Sequence, residues 1–423
     1  MKVDGNKKRH ESIKNFLKKK NVSESSSLNT TITFFKKIKS TIMKMKLQLV
    51  LILFGVTIIS IVGCKKNQTH FCDGDDTIVA TTKVFSTGFN NPRGLKFGPD
   101  GNLYVAEGGL GGTNSTVGLC EQVSAPVGPV FGSTTSGRIS RVSPSGVRTT
   151  ITDQLPSSMI QASGGGFISG VADVAFVGND LYAVLAGAGC SHGVPSVPNG
   201  VVKINNNGTW SMVANLSEYT MTHETAHPEP HGGAEPDGTP YSMINVHGVL
   251  YVIEPNHGDY IKVTTDGTAS RFVDISASQN HIVPTVQEYF RGNFYVGNLD
   301  TFPAPHGGSK ILKITNDGQV SDFATGFNMI LGIAFDQLGG LYVLENTTNN
   351  PFPTPGTGDI VRIDPSGTRQ VITSGLNLPT GITFGPDGKL YVSNWGYGAP
   401  AGAGEILQIS FKCDQIRGNK DIQ

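Results

Sequence analysis

The strongest hydrophobic pattern along the chain is a three-residue core, apolar-Tyr-small, that recurs six times. The copies are Leu103-Tyr104-Val105, Leu181-Tyr182-Ala183, Leu250-Tyr251-Val252, Phe294-Tyr295-Val296, Leu341-Tyr342-Val343 and Leu390-Tyr391-Val392. Each follows a tight-turn signal, clearest in Gly98-Pro99-Asp100-Gly101 and Gly385-Pro386-Asp387-Gly388. Before each turn lies another apolar run, such as Gly94-Leu95-Lys96-Phe97 or Gly332-Ile333-Ala334-Phe335. A third strand, a second turn and a fourth strand follow, as at Gly137–Val142 with Pro144-Ser145-Gly146 and Asp359–Ile363 with Pro365-Ser366-Gly367. Four short antiparallel strands per unit, at periods of about 45 to 78 residues, predict an all-β, six-bladed β-propeller over 81–413. The runs are apolar on both faces because neighbouring blades cover each sheet from both sides.

The two ends of the pattern complete each other. The last unit stops after its third strand, Glu405–Ile409, and the missing fourth is supplied by Thr82-Lys83-Val84-Phe85-Ser86-Thr87-Gly88-Phe89. That segment mirrors Val320-Ser321-Asp322-Phe323-Ala324-Thr325-Gly326-Phe327. An N-terminal strand that closes the last blade leaves no sheet edge open, and it sets Val84 beside Ile406. The turns joining strands one to two and three to four are short throughout. The other connections, 107–136, 186–199, 216–239, 298–308 and 345–357, are long and rich in Gly, Pro and His. They emerge together on one face, where binding residues are expected.

Charge changes the picture at the N-terminus. Residues 1–63 carry 13 Lys and Arg against 3 Asp and Glu, so 64–423 hold 20 basic and 30 acidic residues. An acidic body argues against a surface that tracks nucleic-acid phosphates. Behind Lys44 and Lys46, an apolar stretch runs from Leu47 to Val62, short for a membrane span and suited to a signal peptide. It ends in Ile61-Val62-Gly63-Cys64, the form of a bacterial lipobox, with Cys64 as the lipid attachment site. The expected organisation is a basic, disordered extension over 1–42, upstream of a true start at Met43 or Met45. A signal peptide and lipobox follow over 43–64, then a tether over 65–80, the propeller, and a tail over 414–423. This places a monomeric chain in a bacterial cell envelope, periplasmic or at the outer membrane, with the membrane as partner through the lipid and no nucleic acid.

Four cysteines remain, none in CxxC spacing, and an oxidising compartment permits two disulfides. Cys72 and Cys413 flank the strands that close the ring and are expected to pair. Cys120 and Cys190 lie in corresponding loops of adjacent blades and are expected to form the second bridge.

Asn91-Pro92-Arg93-Gly94-Leu95, continued by Gly98 to Glu107, resembles the opening blade of ScyD/ScyE family proteins. Val296-Gly297-Asn298-Leu299 with Phe302-Pro303, Ala324 to Phe327, Pro379-Thr380-Gly381 and Tyr391 to Asn394 extend the resemblance over 81–411. It implies an exported six-bladed propeller of the NHL and TolB kind and, from the family's name, a place in secondary metabolism as an accessory enzyme. Two departures stand out: the histidine-rich 221–236 loop, and Val171-Ala172-Asp173 at the opening of blade two.

Three residues after each repeat tyrosine stand Glu107, Leu185, Glu254, Asn298, Glu345 and Asn394. Glu107, Glu254, Asn298, Glu345 and Asn394, with Asp300 nearby, are hard-oxygen ligands suited to calcium at the channel mouth. Related six-bladed hydrolases hold such an ion, which would polarise an ester or lactone carbonyl. The plainer reading is that each residue binds loop backbone at a strand end. His223-Glu224-Thr225-Ala226-His227 spells HExxH, yet Pro228, Pro230 and Gly232-Gly233 oppose the helix that this zinc motif needs. No catalytic residue is identifiable. Trp395, Tyr397 and Phe302 belong to the long-loop face and suit stacking on a sugar or planar ligand. Two functions follow: a binding or scaffold protein that takes a small molecule, glycan or protein on that face, or a calcium-dependent hydrolase or lactonase.

Overall fold

Six sheets share the repeat. In the computed structural model, which describes residues 77–125, 127–160, 167–228 and 235–414, each sheet is one antiparallel blade. Blade one runs Pro92–Phe97, Leu103–Glu107, Val130–Val142 and Arg148–Ile160, with a short fifth strand Ile168–Ser169. Blade two runs Val171–Val177, Asp180–Leu185, Gly200–Ile204 and Trp210–Asn215. Blade three runs Ser242–Val246, Val249–Glu254, Asp259–Val263 and Ala269–Asp274. Blade four runs Pro284–Phe290, Asn293–Asn298, Ser309–Thr315 and Val320–Phe327. Blade five runs Ile330–Phe335, Leu341–Glu345, Gly358–Ile363 and Arg369–Leu376. Blade six joins Gly381–Phe384, Leu390–Asn394 and Gly404–Asp414 to Thr77–Phe89 from the front of the chain. The six first strands touch in a closed cycle, so the architecture is a six-bladed β-propeller.

Closure follows the expected order with a shifted register. Thr77 pairs with Asp414 and Phe89 with Gly404, while Val84 lies opposite Leu407 rather than Ile406. A bulge between Val84 and Ser86 takes up one residue and puts Ser86 opposite Ile406. Cys413 faces Ile78 in this ladder. Cys72 and Cys64 lie outside the described residues, as do the extension, the signal peptide and the tether as far as residue 76, whereas residues 77–80, expected in the tether, already belong to the closing strand Thr77–Phe89. Among the described residues, no helix is long and apolar enough to cross a membrane.

The turn chemistry explains two of the repeats directly. Gly101 donates to Gly98 O at 3.0 Å and Gly388 to Gly385 O at 2.9 Å, both glycines holding positive φ. Each turn aspartate then accepts from its repeat tyrosine: Tyr104 Oη to Asp100 Oδ2 is 3.0 Å and Tyr391 Oη to Asp387 Oδ2 is 3.1 Å.

The rings of the repeat tyrosines join blades. Tyr104 meets Phe176, Tyr295 meets Phe335, Tyr342 meets Phe384 and Tyr391 meets Phe97, with centroids 4.7 to 5.1 Å apart and edges turned to faces. In each pair the tyrosine sits on the second strand of one blade and the phenylalanine near the end of the next blade's first strand. Such contacts contribute about 0.5–1.5 kcal/mol each beyond area burial. The last of the four bridges the seam between blades six and one.

Candidate functional site

The strand-end residues shape the mouth. Glu107, fully buried, accepts from Asn90 N at 2.6 Å and from both the Nε (2.9 Å) and Nη2 (2.6 Å) of Arg138. Glu254 accepts from Thr239 N at 2.9 Å and from the backbone and Nδ1 of His257 at 2.7 and 2.8 Å. Glu345 accepts from the backbone and side-chain nitrogens of Asn328. Asn394 Oδ1 accepts from Asn377 N at 2.8 Å, and its Nδ2 donates to Glu405. Asn298 donates to Ile282 O at 2.9 Å and accepts from Lys310 N. In blade two, where Leu185 stands, Asn199 does this work by accepting from Ala188 N and donating to Gly238 O.

Each of the five residues thus ties the loop entering its own blade to a strand end. Among the described residues, no group of three or more His, Cys, Asp or Glu side chains is arranged to hold a metal. The HExxH segment is not helical, because helix Leu216–Thr222 ends before His223. Its backbone docks on blade three instead, Ala226 N donating to Asp274 and His227 N to Ser276.

Between these latches the long loops surround a cavity of about 200 Å³ at the channel mouth, lined from all six blades. Phe302 and Tyr397 line it, while Trp395 is half-buried outside it. Phe167 stacks on Tyr397 with centroids 4.7 Å apart and planes 22° from parallel. Tyr397 donates its hydroxyl to Asn346, and burial pushes its phenol well above the usual range. Beneath the mouth, the channel between the first strands narrows to about 30 Å³ beside Lys96, Asp173 and Gln287, room for a water or so. Burial raises the Asp173 carboxyl there, although Met243 N donates to it at 2.9 Å.

Two charged groups in the cavity escaped the sequence reading. Arg93, 7 % exposed, donates from Nη2 to Ile168 O at 2.6 Å and lies 3.5 Å from Tyr241 Oη, with its Cζ 5.5 Å from the Tyr397 ring centroid. No carboxylate among the described residues is within ion-pair reach of it. Glu235 is the other: its Oε2 lies 3.1 Å from His192 Nε2, and His192 Nδ1 is 2.9 Å from Ser158 Oγ. Ser158 is fully buried, so this row supports Glu235 rather than offering a serine nucleophile. The support is itself braced. Cys120 is disulfide-bonded to Cys190, and Asp237 accepts from Ser191 N and Oγ at 2.7 and 2.6 Å. Gly132 passes so close that a Cβ there would meet His192 O at 2.2 Å. An arginine inside an apolar, channel-lining strand was the one sequence signal that could have exposed the site.

This is a six-bladed propeller with a small aromatic-walled cavity at its channel mouth. No protein-family model matches the chain, and no curated protein matches it. Among solved structures, a protein of unknown function from Bacteroides thetaiotaomicron is 11% identical, with 79% of this chain and 77% of that one covered at a TM-score of 0.49. A gluconolactonase from Xanthomonas campestris is 10% identical, with 80% and 91% covered at 0.46. A virginiamycin B lyase from Staphylococcus aureus, in a catalytically inactive form with quinupristin, is 12% identical, with 79% and 99% covered at 0.44. The likeness concerns the fold alone.

One buried acid pair makes a pH prediction. Asp359 lies directly across the ladder from Glu345, and burial, then the shared hydrogen bond and like charge of Glu345, push it up to about 8. The folded chain thus keeps a proton that the unfolded chain, titrating near 3.8, has lost. Stability from this group is full below about 4 and falls as pH rises toward about 8. Asp359→Asn should flatten that fall and add about 1–3 kcal/mol at pH 8. Denaturant unfolding at pH 5 and pH 8 checks it, and an unchanged pH slope would contradict it.

Proposed function

We propose that the chain is an exported, lipid-anchored propeller of the ScyD/ScyE kind that binds a small molecule at its channel mouth. The observation that carries the binding reading is the cavity to which all six blades contribute, walled by Phe167, Tyr397 and Phe302. Concave sites with apolar walls and a few convergent polar groups are where small ligands bind. A volume of about 200 Å³ suits one ring with its substituents better than a glycan chain or a protein segment.

The anchor rests on the Ile61-Val62-Gly63-Cys64 motif behind its apolar stretch. Anchoring would keep the cavity in the cell envelope. Cells expressing the full chain should incorporate labelled fatty acid into it, and Cys64→Ser should abolish the label. Equal labelling of the two would remove the anchor.

A second reading has one observation in its favour. Glu235, held by His192 in the same cavity, supplies a proton acceptor for the hydrolase or lactonase alternative. Affinity-selection mass spectrometry with ring compounds and lactones separates the readings. The full chain should retain ligands, and Leu299→Trp, which fills the mouth, should lose them. Ligand recovered unchanged supports binding, and ligand recovered hydrolysed supports the enzyme. Retention that the tryptophan does not alter would contradict both.

A further inference from the structure

We propose that the mouth cavity takes a single-ring monoanion whose carboxylate is anchored by Arg93, an inference that rests on the binding reading above. A guanidinium is always charged and costly to bury unless an anion faces it. Arg93 is 7 % exposed, and its hydrogen-bond partners among the described residues are the Ile168 carbonyl and, at 3.5 Å, the Tyr241 hydroxyl. Neither neutralises it, and no described carboxylate forms an ion pair with it. The planar fork of arginine matches a carboxylate with two parallel hydrogen bonds, which a lysine would not do.

The rest of the cavity fixes the body of the ligand. Tyr397 lies under the guanidinium and stacks on Phe167, while Phe302 lines another wall. These faces suit a flat ring. The channel below is too narrow to admit it, so the ring stays at the mouth. Glu235 limits the charge: its carboxylate lines the same cavity and disfavours a second negative charge on the ligand. A phosphate ester, doubly charged near neutral pH, fits this balance poorly.

Calorimetric titration of the full chain with benzoate, benzamide and phenyl phosphate tests the proposal. Benzoate should bind about 10- to 100-fold more tightly than benzamide, the ratio expected for a charge-assisted contact. Arg93→Gln should remove that preference, and Arg93→Lys should keep only part of it. Glu235→Gln should tighten benzoate severalfold relative to benzamide, a response opposite in sign to that of the arginine variants and one that loss of structure does not produce. It also tests the charge recognition should the arginine variants not fold. Equal binding of benzoate and benzamide, or tightest binding of phenyl phosphate, would overturn the carboxylate anchor while leaving a binding cavity. If none of the three binds, the binding reading falls and the anchor with it.

Discussion

Everything in this protein depends on the ladder between Thr77–Phe89 and Gly404–Asp414. A propeller blade is stable only between two neighbours, because its apolar residues point to both faces of the sheet. Five blades can be built from consecutive strands, but the sixth is unfinished until the front of the chain returns to it. When it does, Phe89 and Ile406 join the same buried cluster as Leu95 and Leu103 of blade one. Thr380 and Ser393 of blade six donate to the Pro92 and Arg93 carbonyls at 2.6 Å. Arg93 is therefore positioned by the seam itself.

The strand-end latches carry that order to the mouth. In blades one, five and six the loop N–H and its acceptor are seventeen residues apart: Asn90 and Glu107, Asn328 and Glu345, Asn377 and Asn394. A buried carboxylate that satisfies a backbone donor is costly to lose, since both groups would be left unpaired. The same acids that read as ligands for a hard ion thus hold the loops in place. Their charged neighbours differ: Glu107 has Arg138, Glu254 has His257, and Glu345 lies across from Asp359 with no basic partner among the described residues. Net charge at the strand ends varies from blade to blade while the latch is kept.

The fold was legible because its signals are local. Each repeat tyrosine follows its own turn, and the Asp100 and Asp387 turns bind the very tyrosines that mark the repeat. The expected partner of Val84 missed by one residue because a bulge leaves no mark in an apolar-polar pattern. The cavity was less legible. Phe302 and Tyr397 could be placed on the right face from loop position, but Trp395 could not be told apart from them. Arg93 and Glu235 come together only because blades one and three meet around a ring. No spacing rule links residues so distant in sequence. The row Ser158, His192, Glu235 is the same case, assembled from three separate loops and strands.

Cross-strand cysteines across the seam give the most direct test of this account. Thr81 and Ser410 are register partners, and directly opposed residues lie within disulfide reach. Oxidation of Thr81→Cys with Ser410→Cys should join the two ends and raise the temperature of a single unfolding transition of the whole propeller. If Thr81→Cys joins Lys412→Cys in preference, or the Ser410 link leaves the transition where it was, the seam does not hold the ring as described.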